Sequence, residues 1–202
     1  MKRQVTSLAA ALIVAASLGA CRDDPRAASE SNFEDAIQRY LDTQPLCIEV
    51  PLSELPGEAP RGRLHQPQLD ALVEAGLLQA QETSIVRDGR GQVPGARYAV
   101  TKKGQKFLSD TRSEYSGRPQ LCSGSPTVTR IVRFSEPSAQ GPAESSQVVY
   151  GYEYRQIPGW ASEPRMTQQF NKLRYASPEE REGSMQLVLT DSGWVSSLQS
   201  PK

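Results

Sequence analysis

The stretch Gln147–Arg155 alternates strictly: Val148, Tyr150, Tyr152 and Tyr154 fall on one side, with Glu153 and Arg155 on the other. Period-two alternation is the signature of a strand with one covered face. Three tyrosines along that face need a second layer, because a lone sheet cannot keep so much apolar surface from water. The chain is therefore expected to contain an antiparallel sheet backed by a helix. The same face, joined by Trp160, has the makings of a binding platform, since tyrosine and tryptophan combine an apolar ring with a polar tip. Tyr150, Tyr152, Tyr154 and Trp160 are thus a candidate surface for a sugar or a partner protein, and burial as sheet core is the competing reading.

The start of the chain addresses it to a membrane. Lys2 and Arg3 precede an apolar run from Leu8 to Ala16, which is far shorter than the roughly 20 residues needed to cross a bilayer. It ends in Leu18-Gly19-Ala20-Cys21. This pattern resembles the lipobox of bacterial lipoproteins. The resemblance implies removal of Met1–Ala20 as a signal peptide, a diacylglycerol on the Cys21 sulfur and a further acyl chain, such as palmitate, on its new amino group. Membrane lipid is then the first partner, held through acylated Cys21, and several chains on one residue exceed the threshold for stable anchoring. Arg22 stands where an aspartate commonly retains an enterobacterial lipoprotein in the inner membrane, so an outer-membrane, periplasm-facing location is favoured. Once Cys21 is acylated, Cys47 and Cys122 remain, 75 residues apart, and an oxidising envelope favours a disulfide between them. Two buried thiols are the other possibility.

Loss of Lys2 and Arg3 takes the basic count from 23 to 21 against 23 acidic residues, which gives no general attraction to polyanions. Residues 21–30, charged and small, read as a flexible tether. Ser31 to Glu34 has capping-box spacing, and Phe33, Ala36, Ile37, Tyr40 and Leu41 predict a helix over about 32–43. A short apolar stretch from Leu46 to Pro51 leads into a loop rich in Pro and Gly. Leu69, Leu72, Val73 and Leu77 mark the next helix, and alternation up to Arg87, a turn at Asp88–Gly91 and a strand over Arg97–Val100 make a hairpin. Thr101 caps a last helix that carries Phe107 and Leu108.

From Leu69 to Leu108, L-xx-L-V-xx-G-L-L, a hairpin and then R-Y-A-V-T-K-K-G-Q-K-F-L resemble the second half of a winged-helix domain. The resemblance implies a winged-helix-like α/β module over residues 31–115. Arg61 to Lys106 holds eight basic and four acidic residues, which would suit phosphate contacts. No helix with exposed Arg, Asn or Gln suited to reading bases stands out, and an envelope protein meets no duplex DNA. Nucleic acid is therefore not an expected partner. Ser116–Pro126 marks a boundary, after which Val128–Phe134, the alternating strand, a helix carrying Met166, Phe170 and Leu173, and a strand carrying Met185, Leu187 and Leu189 predict a small β-β-α-β antiparallel module over residues 116–202. The fold class is α+β.

Catalytic chemistry lacks its parts. His65 is the only histidine, no G-x-S-x-G elbow is present, and no metal ligand set or cofactor motif stands out. Glu179/Glu180 and Asp23/Asp24 are adjacent in sequence, unlike the separately mounted carboxylates of a glycosidase. The expected function is that of a non-catalytic protein-binding or assembly module of the envelope, with no cofactor and no metal. Two alternatives stay open. One is an inhibitor or immunity protein that plugs a cell-wall-cleaving enzyme, with the loop Glu136–Ser146 as first candidate. The other is a peptidoglycan or sugar binder, or an enzyme, using Tyr150, Tyr152, Trp160 and nearby carboxylates.

Overall fold

The computed structural model describes residues 24–87, 89, 91–139 and 143–199. The signal segment and the expected lipidation site, Cys21, lie outside the described residues. Helix α1 (Glu30–Leu41) leads to short strands β1 (Cys47–Glu49) and β2 (Gly57–Pro60), helix α2 (Gln66–Glu74) and a long hairpin, β3 (Leu78–Arg87) with β4 (Gly91–Val100). One helical turn, α3 (Lys102–Gln105), precedes β5 (Leu108–Arg112), β6 (Pro119–Cys122), β7 (Ser125–Phe134) and β8 (Ser145–Arg155). A helical segment follows, with 3-10 turns at Gly159–Ser162 and Asn171–Tyr175 on either side of α4 (Pro164–Gln169), and the hairpin β9 (Arg181–Thr190) and β10 (Gly193–Ser196) closes the chain. The strands form three antiparallel sheets, ordered β2-β4-β3, β1-β6-β5 and β10-β9-β8-β7. The protein is α+β, with sheet predominating.

Local chemistry accounts for the element ends. The Ser29 hydroxyl, not that of Ser31, caps α1 by accepting the Asn32 N–H at 3.3 Å, so the helix starts two residues earlier than its capping-box spacing suggests. Phe33, Ala36, Ile37 and Leu41 form its buried stripe. Gly76, at φ +70, supplies the left-handed turn that releases the chain from α2 into β3. Thr101 caps α3 by accepting the Gly104 N–H at 2.9 Å. There the expected closing helix stops after a single turn. A Cβ at position 104 would collide with the Leu77 carbonyl, so only glycine fits, and glycine is a poor helix former. The Phe107 carbonyl instead accepts the Cys122 N–H at 2.8 Å as the chain enters β5. The helix and hairpin of the expected winged-helix unit are present, but the first half as a whole is helix-poor.

Two cores result. The first joins Leu46–Leu52, α2, the start of the β3–β4 hairpin and Leu121 to Trp160, Met166, Phe170 and Leu173. The second buries the α1 stripe against Val128, Val148, Tyr150, Met185, Leu187 and Trp194. The tyrosine-bearing sheet is therefore covered by α1, not by the helix at 164–169 that follows its second strand. Phe33 explains the choice: its ring meets Phe134 and Trp194 edge-on at 4.9 and 5.0 Å, a geometry favoured by the ring quadrupoles. The 164–169 helix turns the other way and is tied to α2, where the Gln68 side chain donates to the Gln169 carbonyl at 3.3 Å. The sheet also has a fourth strand, β10, beyond the three of the expected β-β-α-β module. Cys47 and Cys122 face each other in the β1–β6 register and form a disulfide.

Candidate functional site

The tyrosine stripe divides along β8. Tyr150 is buried, with its ring over Gly183, where any larger residue would strike it. Burial, reinforced by Tyr152, Tyr40 and Tyr154, pushes its hydroxyl up to about 12. It is a neutral core residue. Trp160 is also buried, stacked edge-on to Phe107 at 5.4 Å, with its indole N–H lacking a hydrogen-bond partner. Tyr152 and Tyr154, by contrast, are only partly covered. Together with Tyr175 and Lys172 they line a cleft of about 440 Å³ beside Cys47, where the two cores meet. Burial raises the Tyr154 hydroxyl above its usual value, and the Arg181 guanidinium stacks over Tyr175 at 5.7 Å from the ring centre. The structure therefore brings together only half of the expected surface.

A second concavity was not legible in the sequence. Pro51, Pro60, Leu69, Ile85 and Val86 line a groove of about 500 Å³ with Arg63, His65 and Gln66 at its polar positions. That volume is within the range of ligand-binding clefts. Two apolar side chains stand in solvent in this region, Leu64 at 88 % and Val86 at 73 % exposure. The polar surroundings are partly self-satisfied. Arg61 bonds Glu82 and Asp70, and its guanidinium holds the Glu82 carboxyl below its usual range. The Tyr98 hydroxyl accepts from Arg61 at 3.2 Å and from Gln66 at 3.1 Å. The Gln66 amide oxygen is buried without a partner, an arrangement that costs about 1–3 kcal/mol. Among the described residues Arg63 forms no ion pair and no carboxylate lines the groove, whose charged lining side chain is Arg63.

β3 borders this region as the outer strand of its sheet. Of its ten residues, six, Gln79–Glu82, Ser84 and Val86, are exposed. An outer strand carries backbone N–H and C=O groups with no sheet partner on one side, which is a template for adding another strand. Proline-rich loop sequence and an alternating hairpin were visible in advance. Their meeting was not, because it depends on the β2–β4 pairing of Gly57–Pro60 with Gly95–Tyr98.

The other polar candidates make local contacts. His65 Nδ1 lies 2.9 Å from the Gln68 amide oxygen. Glu180 pairs with Arg130 at 2.7 Å and Glu153 with Arg155 at 2.8 Å. The loop after β7 is closed by a Ser138–Ser145 bridge, and residues 140–142 lie outside the described residues. Among the described residues no group of His, Cys, Asp and Glu is arranged to hold a metal, and no helix is long and apolar enough to cross a membrane. Compared with protein-family models, curated proteins and solved structures, the chain matches none.

Proposed function

We propose that this chain is a bacterial envelope lipoprotein, anchored in the outer membrane through acylated Cys21 and facing the periplasm, that binds another envelope protein without catalysis. The observation that supports this reading most directly is the apolar, basic groove beside the free edge of β3. An extended segment could add its backbone to β3, seat apolar side chains near Leu64 and Val86, and offer an acidic group to Arg63. In this reading the winged-helix-like half uses its hairpin for protein, not nucleic acid. In-cell cross-linking with mass spectrometry of the adducts tests it: one dominant protein partner is expected, lost in Leu64→Asp/Val86→Asp and lost again in Cys21→Ser. Retention of that partner by both variants would refute the reading.

A second reading draws on the cleft of Tyr152, Tyr154, Tyr175 and Lys172, whose partly exposed rings and lysine suit a glycan. It predicts glycan-bearing adducts that survive Leu64→Asp/Val86→Asp and disappear in Tyr154→Ala.

A further inference from the structure

We infer that the anchor holds this protein by the β9–β10 end of its four-stranded sheet, so that this end faces the bilayer and the first core, with its groove, is presented away from it. The inference rests on the acylation of Cys21 proposed above. Its physical basis is that the segment expected to be a loose tether is fastened to the body. The Asn32 side chain donates to the carbonyls of Asp24 at 2.8 Å and Ala27 at 2.9 Å. The Trp194 indole N–H donates to those of Arg26 at 3.2 Å and Ala27 at 3.1 Å. Arg26 in turn donates to the Thr190 carbonyl at 3.3 Å and pairs with Asp191 at 3.6 Å. The Pro25 carbonyl lies against Gly193, where a Cβ would come within 2.8 Å of it. Thr190 and Asp191 on one side of the β9–β10 turn and Gly193 and Trp194 on the other therefore hold the chain at Pro25–Ala27, and Asn32 of α1 holds it at Asp24 and Ala27.

Only three peptide units join Asp24 to Cys21, a reach of about 11 Å even when fully extended. The turn touches the chain at the Pro25 carbonyl, four peptide units from Cys21, so it stays within about 20 Å of the acylated residue. From the turn, β9 runs back toward the first core: its other end, Arg181, donates to the Tyr175 carbonyl at 2.9 Å. β8 makes the same journey, from Val148 in the second core to Tyr154 beside the first. A strand of this length spans about 30 Å. The anchor and the first core thus occupy opposite ends of the sheet. Among the described residues at the anchored end, Asp24, Asp35 and Asp191 outnumber Arg26 and Arg39, so attraction to anionic headgroups does not hold it there. The short fastened leash does.

The test uses the full lipidated chain in vesicles of phosphatidylethanolamine and phosphatidylglycerol that carry a headgroup nitroxide. A fluorescent amino acid, introduced by codon suppression so that the disulfide is untouched, replaces Ser192 in one protein and Leu64 in another. Loss of emission at position 192 with unchanged emission at 64 is the expected result. A Gly/Ser insertion of about 12 residues between Cys21 and Asp24, with a root-mean-square span of about 20 Å, should restore emission at 192. A chain that carries no acyl mass and does not join the vesicles overturns the lipoprotein reading, and this inference with it. An acylated, vesicle-bound chain quenched equally at both positions, or not quenched at 192, overturns the orientation alone. Quenching at 192 that survives the insertion overturns the role of the leash.

Discussion

The second core is one helix laid on one sheet, whereas the first is gathered from five stretches scattered between Leu46 and Ala176. Their chemistry differs in step. The second is centred on Phe33, wedged between Phe134 and Trp194, and aromatic stacking with a helix stripe closes it. The first is largely aliphatic and depends on contacts between segments far apart in the chain, each of which has to be closed against loop entropy. It is also where the covalent link sits, joining the neighbouring strands β1 and β6. A core made of remote pieces has the most to gain from a cross-link that shrinks the unfolded ensemble, and a core made of one helix and one meander has the least.

Removal of the link is the strongest way to break that comparison. Cys47→Ala with Cys122→Ala is expected to lower stability by about 4 kcal/mol for a loop this long. Urea unfolding measures the sum, and amide hydrogen exchange locates it: β1 and β6 should lose protection while β8 and β9 keep theirs. Equal loss throughout would show that the two cores open as one unit, and the contrast between them would vanish.

The second core can be probed through Tyr150. Its hydroxyl moves from about 10 in an unfolded chain to about 12 when folded. The folded state therefore keeps its proton while the unfolded state gives it up, and stability falls as pH rises between those values. Below about 10 the contribution is complete. Denaturant midpoints measured between about pH 8 and pH 11 should fall more steeply for the wild type than for Tyr150→Phe, which has no proton to lose. Parallel slopes would mean that Tyr150 is wet, and that the stripe is a surface as far back as β8's midpoint.

Elements with their own periodicity were readable: the α1 stripe, the β3–β4 hairpin and the alternation of β8 all stand where the sequence places them. What covers what was not. The helix at 164–169 carries Met166, and Phe170 and Leu173 follow it, a pattern that would suit a sheet as well as a bundle. Only the packing of α1 through Phe33 shows that the sheet was already taken. The tyrosine face stayed open between core and surface for the same reason, since alternation assigns Tyr150 and Tyr154 to one side but does not say where the covering helix ends. The groove escaped notice because its parts, Pro51, Pro60, Leu69 and Ile85, belong to four separate segments, and no motif links them. Cys47 and Cys122 were the exception to this blindness at long range, because a small even count limits the partners.

The smallest expected effect separates sequence pattern from structure at a single hydroxyl. Capping-box spacing points to Ser31, whereas the α1 N-cap is Ser29, whose hydroxyl accepts the Asn32 N–H. Ser29→Ala should cost about 1 kcal/mol, the usual loss when an N-cap acceptor is removed. Ser31→Ala should change stability little or raise it slightly, because position 31 is an exposed site inside the helix, where alanine is the better former. Thermal or urea midpoints of the two variants give the answer directly. The loss at Ser29 should also reach the fastened leash, since α1 begins where Asn32 grips Asp24 and Ala27, and protease nicking near Arg26 would report it. If Ser31→Ala proved the costlier change, α1 would start at the capping box, and the hold of the second core on the chain's beginning would be weaker than these hydrogen bonds imply.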